Sequence, residues 1–356
     1  MPMSLSTPVS ISKILQKHPI ESSAPCRVDS GGTWDIKAMA LPLEKFYPVT
    51  VNFALNLRTA VTLLPFEEGM VSVTSEGFAA SEDYPIGRVP FDSPFGIFFA
   101  AVSYFGFQGI QVRIRSDSPV KSALGGSSTA LVALVKALSK VNSMFGGKEL
   151  KAGEVLHLAY HLEDSVSKGK CGIQDQAAAA YGGVHLWNWH YGRRGSLFAR
   201  TPLADRKELR EFSDRMVVAF SGKSHVSARI NRNWIAEFLS GKTRSGWIKA
   251  NEIVRSLADG LKAKDWNGCA RLLREEMAVR REITPDALIP ITERLIGTAE
   301  TAGCGARFAG AGCGGTVWAL GEKDRIQRLR EKWAAHLKPI RGARVLECAI
   351  DPVGVR

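Results

Sequence analysis

Residues 118–137, SPVKSALGGSSTALVALVKA, constrain the fold more than any other part of the chain. The segment before them alternates, with Ile110, Val112 and Ile114 on one face and Gln111, Arg113 and Arg115 on the other. A period of two marks a half-buried strand. Afterwards Leu131, Leu134, Val135 and Leu138 recur at helical spacing, which predicts a helix starting near Ser127. The joint between them holds a proline, the adjacent Gly125 and Gly126, and the hydroxyls of Ser127, Ser128 and Thr129. A helix N-terminus has backbone N–H groups without intrahelical partners, and its macrodipole favours negative charge there. Glycines let the main chain approach an anion closely, and hydroxyls add donors. The joint reads as a phosphate cradle; an ordinary glycine turn with a serine cap shares the same local pattern.

Three other stretches bear on that reading. Residues 24–35, APCRVDSGGTWD, carry Arg27, a strand-breaking glycine pair, Thr33 and Asp35. In residues 155–183, Leu156, Ala159, Leu162 and Val166 predict a helix with Glu163 near its end, and Asp175 follows a glycine-flanked turn. Alone, such an aspartate is a helix cap. Beside a phosphate cradle, two carboxylates have a division of labour: one can hold a hard cation, the other orient or deprotonate a hydroxyl. Residues 303–320, GCGARFAGAGCGGTVWAL, are a glycine-rich loop leading into an apolar strand.

Together these stretches resemble the motifs of the GHMP kinases. The turn at 118–137 is similar to P-x-x-x-G-L-G-S-S-A, with Ala123 in place of the first glycine and Gly126 in place of the first serine. Residues 24–35 resemble A-P-x-R-x-[DN]-x-x-G-x-x-D, with Cys26 where galactokinases have glycine. The C-G-x-x-D-Q around Asp175 resembles the sugar-kinase branch, and 303–320 resemble G-A-x-x-x-G-A-G-x-G-G. The resemblance spans residues 24–350. It implies an α+β fold of two domains, the N-terminal one like ribosomal protein S5 domain 2 and the C-terminal one ferredoxin-like. A polar, charged stretch at 190–215 places the divide, giving a leader at 1–22 and domains at 23–205 and 206–356.

The resemblance also implies a site. Asp175, with Arg27, would activate the acceptor hydroxyl. Leu124, Gly125, Gly126, Ser127 and Ser128 would hold ATP phosphates, with Gly310 and Gly312 folded against them. Glu163 with Ser127 or Ser128 would hold Mg²⁺. Asp35 and Thr33 would meet the substrate, as would Gly222, Lys223 and His225, whose turn resembles T-G-x-x-[RH]-x-S. The implied activity is ATP- and Mg²⁺-dependent phosphorylation of a sugar or sugar phosphate at its anomeric hydroxyl. Heptose 7-phosphate leads because a net charge of +12 suits an acceptor already carrying phosphate; fucose and galactose are alternatives. The departures at Cys26, Ala123 and Gly126 keep open a sensor that binds nucleotide and sugar without transfer. The isoprenoid branch lacks the C-G-x-x-D-Q context.

Other readings are weaker. Lys and Arg are dispersed and interleaved with acids, which describes solvated helix faces rather than a nucleic-acid surface. Residues 222–224 spell G-K-S, but Val217 stands where a Walker A loop needs its first glycine. His157 and His161 sit four apart without a third ligand at zincin spacing. The aromatics of 91–107 read as a buried helix face. Six scattered cysteines without a C-x-x-C pair suggest reduced thiols. With no membrane span and no export signal expected, the chain reads as a cytoplasmic monomer or homodimer acting on small molecules.

Overall fold

The computed structural model describes residues 9–31, 34–77, 81–192, 195–224 and 227–356. In chain order the first half runs β1 (Val9–Ser10), α1 (Ser12–Lys17), β2 (Ile20–Asp29), α2 (Lys37–Ala40), β3 (Val49–Pro65), β4 (Met70–Ser75), β5 (Glu82–Pro85), α3 (Gly96–Phe105), β6 (Phe107–Gln108), β7 (Ile110–Ser116), α4 (Gly126–Met144), α5 (Ala152–Ser167), α6 (Gln174–Tyr181), β8 (Val184–Trp189) and β9 (Phe198–Pro202). The second half runs α7 (Leu209–Asp214), β10 (Met216–Phe220), α8 (Ser227–Leu239), α9 (Arg244–Ala263), α10 (Trp266–Ile283), α11 (Pro290–Thr301), β11 (Gly305–Phe308), β12 (Thr316–Leu320), α12 (Lys323–Leu337) and β13 (Arg344–Leu346).

Among the described residues, the first sheet has the order β5-β4-β7-β3-β8-β9, with β2 antiparallel to β3. Helices α3, α4, α5 and α6 cover one face and share its core: Val61, Leu63, Val112 and Ile114 of the sheet meet Leu131, Leu134 and Leu138 of α4. The alternation of β7 and the 3.6-residue stripe of α4 converge there, burying apolar area worth about 25 cal/mol per Å². The second sheet is antiparallel, ordered β11-β12-β10-β13. Numbered by their own succession, its strands lie 2-3-1-4, with α11 entering the second and α12 entering the fourth, which is the ferredoxin-like arrangement. The α+β fold is therefore as expected.

A third apolar layer joins the halves. Val28, Val51, Phe53 and Leu55 from β2 and β3 pack against Val218, Phe220, Trp318 and Leu320 of the second sheet. The strands β2 and β3 are thus buried on both faces. This arrangement fixes their ends, which carry site residues, relative to the glycine-rich loop before β12.

Two expectations need correction. Residues 9–22 are not a leader outside the domain: Ile11 and Leu15 are buried in the first core, and β2 already pairs with β3 from Ile20. A short amphipathic turn shows its apolar pair in sequence but not what covers it. Residues 343–350 also read in the sequence as one closing strand, whereas only Arg344–Leu346 forms β13. After β13 the chain leaves the second sheet, Ile350 bridges to Leu55 of β3, and Arg356 exchanges main-chain hydrogen bonds with Ser23.

Candidate active site

Turn 117–125 and α4 open on a cleft of about 880 Å³ between the two halves. Gly125 caps α4 in the left-handed conformation, at φ 76°. Ala123 also lies there, at φ 64°, which is why the motif has glycine at this position. Gly126, Ser127 and Ser128 form the first turn of α4 and line the cleft with Gly125. Leu124 lies behind them, buried, its carbonyl accepting the N–H of Arg27 at 3.1 Å.

Arg27 is 4% exposed on β2. Its Nε donates to Oδ1 of Asp175 at 2.8 Å and its Nη2 lies 2.6 Å from the same oxygen, while Nη1 donates to the carbonyl of Ala123 at 2.7 Å. Burial opposes the guanidinium charge, but Asp175 and then Asp29 outweigh it and raise the Arg27 pKa. One side chain therefore joins the glycine turn before α4 to the carboxylate. Asp175 stands in the first turn of α6, its side chain 23% exposed toward the cleft. It lies inside the helix rather than at the cap, which is Ile173.

Glu163 reaches the same place from α5. Its Oε1 accepts from Ser128 Oγ at 2.9 Å and its Oε2 from Gln176 Nε2 at 2.6 Å. Burial raises its pKa to about 7, Ser128 and Gln176 pull the other way, and the charge of Asp175 adds to the rise. Carboxylate and hydroxyl oxygens are a donor set for a hard cation. Among the described residues no three His, Cys, Asp or Glu side chains form a metal cluster, and His157 and His161 merely meet edge to face, their ring centroids 4.3 Å apart. A cation with few protein ligands that completes its shell with water and phosphate is what Glu163 and Ser128 suit.

Asp35 lines the cleft wall, 1% exposed. Its Oδ2 accepts the N–H of Gln174 at 3.0 Å, and its Oδ1 has no partner. Burial raises its pKa to about 7, against the help of Gln174.

The third motif docks through a residue that sequence reasoning passed over. Asp29, fully buried, accepts the N–H of Gly310 at 2.6 Å with Oδ1 and pairs with Arg307 through Oδ2. Arg307 continues to Glu276 at 3.2 Å. The signals were the acidic position of the first motif and a lone arginine in the glycine-rich loop.

Gly310 and Ala311 line the cleft; Gly312, packed against Ala287, does not. Gly222 and Lys223 lie outside its lining as well: Lys223 is exposed and its carbonyl accepts the N–H of Gly315. Thr33 and His225 lie outside the described residues. The cleft adds residues not singled out beforehand. Lys168, Lys170 and Arg232 line it beside Gly172 and Asp35, and Phe91, Phe95 and Phe98 line it beside Val120. Phe95, Phe98 and Phe99 are core as expected, at most 4% exposed, whereas Tyr104 on the same helix and Phe91 before it are exposed.

The pattern of the GHMP kinases N terminal domain matches residues 96–183, and that of the GHMP kinases C terminal region matches residues 257–339. The chain belongs to the GHMP kinase family. Among curated relatives of this GHMP kinase, the bifunctional fucokinase/GDP-fucose pyrophosphorylase of Arabidopsis thaliana is 21% identical over 91% of the chain, which spans only 32% of that protein. The D-glycero-alpha-D-manno-heptose 7-phosphate kinase of Campylobacter jejuni is 23% identical over 84% of this chain and 88% of its own. The solved galactokinase of Lactococcus lactis superposes with a TM-score of 0.72 at 15% identity, covering 97% of this chain and 99% of that one. At that identity the likeness speaks to the fold.

Proposed function

We propose that this GHMP kinase phosphorylates a sugar or sugar phosphate, using ATP and Mg²⁺, with heptose 7-phosphate as acceptor and its anomeric hydroxyl as nucleophile. The observation that carries the reading is Asp175 held by Arg27 at the mouth of the α4 turn. N–H groups of Gly125, Gly126, Ser127 and Ser128 would bind the β- and γ-phosphates at a helix N-terminus. Phe91, Phe95 and Val120 offer apolar surface for a flat base. Asp175 would accept the proton of the attacking hydroxyl, and Arg27 would fix the direction of its carboxylate. Asp35, with its free Oδ1, would accept from a second sugar hydroxyl. Glu163 and Ser128 would hold Mg²⁺, which when bound neutralises charge on the transferring phosphoryl group. Catalysis would rest on positioning and charge stabilisation.

The phosphorylated acceptor is supported by Lys168, Lys170 and Arg232. They line the cleft beyond Asp35 and pair with no carboxylate among the described residues. Fucose is the second reading, favoured by similarity to the plant fucokinase along 91% of the chain. Incubation with ATP, Mg²⁺ and each sugar, scored by ADP release, tests both. Heptose 7-phosphate should give the highest kcat/KM; preference for an unphosphorylated sugar would reverse the assignment. Binding of ATP and sugar without ADP release would make the chain a sensor.

A further inference from the structure

The structure assigns a second binding site, for a small phosphate-bearing anion, at the opposite end of α6 from Asp175. A pocket of about 370 Å³ lies there, lined by Tyr181, His185, Arg200, Arg206 and the C-terminal residues Pro352 to Gly354. It shares no lining residue with the active-site cleft.

Its charge is unbalanced. Arg200 and Arg206 are exposed, and neither pairs with a carboxylate among the described residues. The nearby acids are engaged elsewhere: Asp205 accepts main-chain N–H groups of Lys207 and Glu208, and Asp351 pairs with Arg58. Arg200 is preorganised by stacking over the Tyr181 ring at 4.2 Å and by its Nη1 meeting His185 Nε2 at 3.3 Å. A guanidinium can only donate, so Nε2 accepts. The imidazole is neutral, because burial and then the charge of Arg200 lower its pKa to about 4. Its hydrogen therefore sits on Nδ1. His185 is 6% exposed, and that Nδ1 is turned to the main chain of Gly182, away from solvent.

Two guanidinium groups at one pocket, neither paired with a carboxylate among the described residues, match the oxygen-rich face of a phosphate. The C-terminal end of α6 carries at most about half a negative charge, which two full positive charges outweigh. The walls are rigid. A Cβ on Gly182 would lie 2.6 Å from the Val353 carbonyl carbon, so the tail is pressed against the end of α6, and Arg58 holds the carbonyls of Val353 and Gly354 at 3.0 and 2.9 Å.

Calorimetric titration of the full chain tests the site, with inorganic phosphate, a hexose monophosphate and citrate as separate probes. The double variant Arg200→Gln/Arg206→Gln should weaken phosphate binding at least about tenfold, the loss of one charge-assisted contact or more. The cleft variant Lys168→Gln/Arg232→Gln should leave that binding in place. Arg206→Gln alone lies on an exposed segment, and an unchanged melting midpoint separates lost contacts from lost fold. A hexose monophosphate binding more tightly than inorganic phosphate identifies an ester as the ligand; the reverse identifies the free anion. Absence of saturable binding up to about 10 mM, equal binding by the double variant, or binding of citrate alone overturns the assignment.

Discussion

A Cβ on Gly125 would lie 2.9 Å from Oδ2 of Asp175, so the glycine turn before α4 and the carboxylate are shaped around each other. Gly125 also takes φ 76°, where an L side chain costs about 1–2 kcal/mol. Gly125→Ala should lower stability by about that amount and displace Asp175. Turnover, read as ADP release, should fall by about a hundredfold, because a misplacement near 1 Å has that effect. An alanine variant of full activity would show that the contact does not set the position of Asp175.

Ala123 gives the opposite expectation. Its φ of 64° is strained, and glycine removes the strain at some entropic cost to the unfolded chain. Ala123→Gly should raise the unfolding free energy by up to about 1 kcal/mol in denaturant titration. A drop would mean that the methyl group contributes more through packing than the backbone loses.

Arg27 should be costly to remove. Breaking a buried ion pair costs about 3–5 kcal/mol, and the partial exposure of Asp175 puts this one toward the low end. Arg27→Met should destabilise the chain by about 3 kcal/mol. A double-mutant cycle with Asp175→Asn should then show coupling of at least about 1 kcal/mol, and additive losses would contradict a shared interaction.

Much of this site is legible in the sequence, for identifiable reasons. β7 announces itself because it buries one face, so its period is written in residue type, and α4, buried on every side from Ser128 to Val135, shows by its long run of apolar and small residues. Asp29 and Arg307 were not foreseen, because a buried ion pair between residues 278 positions apart leaves no periodicity. Lys168, Lys170 and Arg232 look like solvated charges until the fold sets them around one cleft. Ile11 and Leu15 look detached for the same reason, since their cover comes from elsewhere in the chain.

Asp35 makes stability depend on pH. Its carboxyl ionises at 3.8 when the chain is unfolded and at about 7 when buried in the fold. Between those values the folded state holds the extra proton. Stability from this group therefore falls as pH rises from about 4 to about 7 and is flat above, by up to about 4 kcal/mol. Asp35→Asn should melt at a higher temperature than the parent at pH 8, with the gap closing toward pH 5, while KM for the sugar rises. A parent more stable than the variant at pH 8 would contradict a strained, ionised Asp35.

The proposed reaction turns on Asp175 acting on the acceptor hydroxyl. Its most direct measurement is ADP release by Asp175→Asn with ATP, Mg²⁺ and heptose 7-phosphate, beside a melting curve and nucleotide binding of the same variant. Turnover should fall by at least about a thousandfold, with a folded chain that still binds ATP. Turnover equal to that of the parent would remove Asp175 from the chemistry.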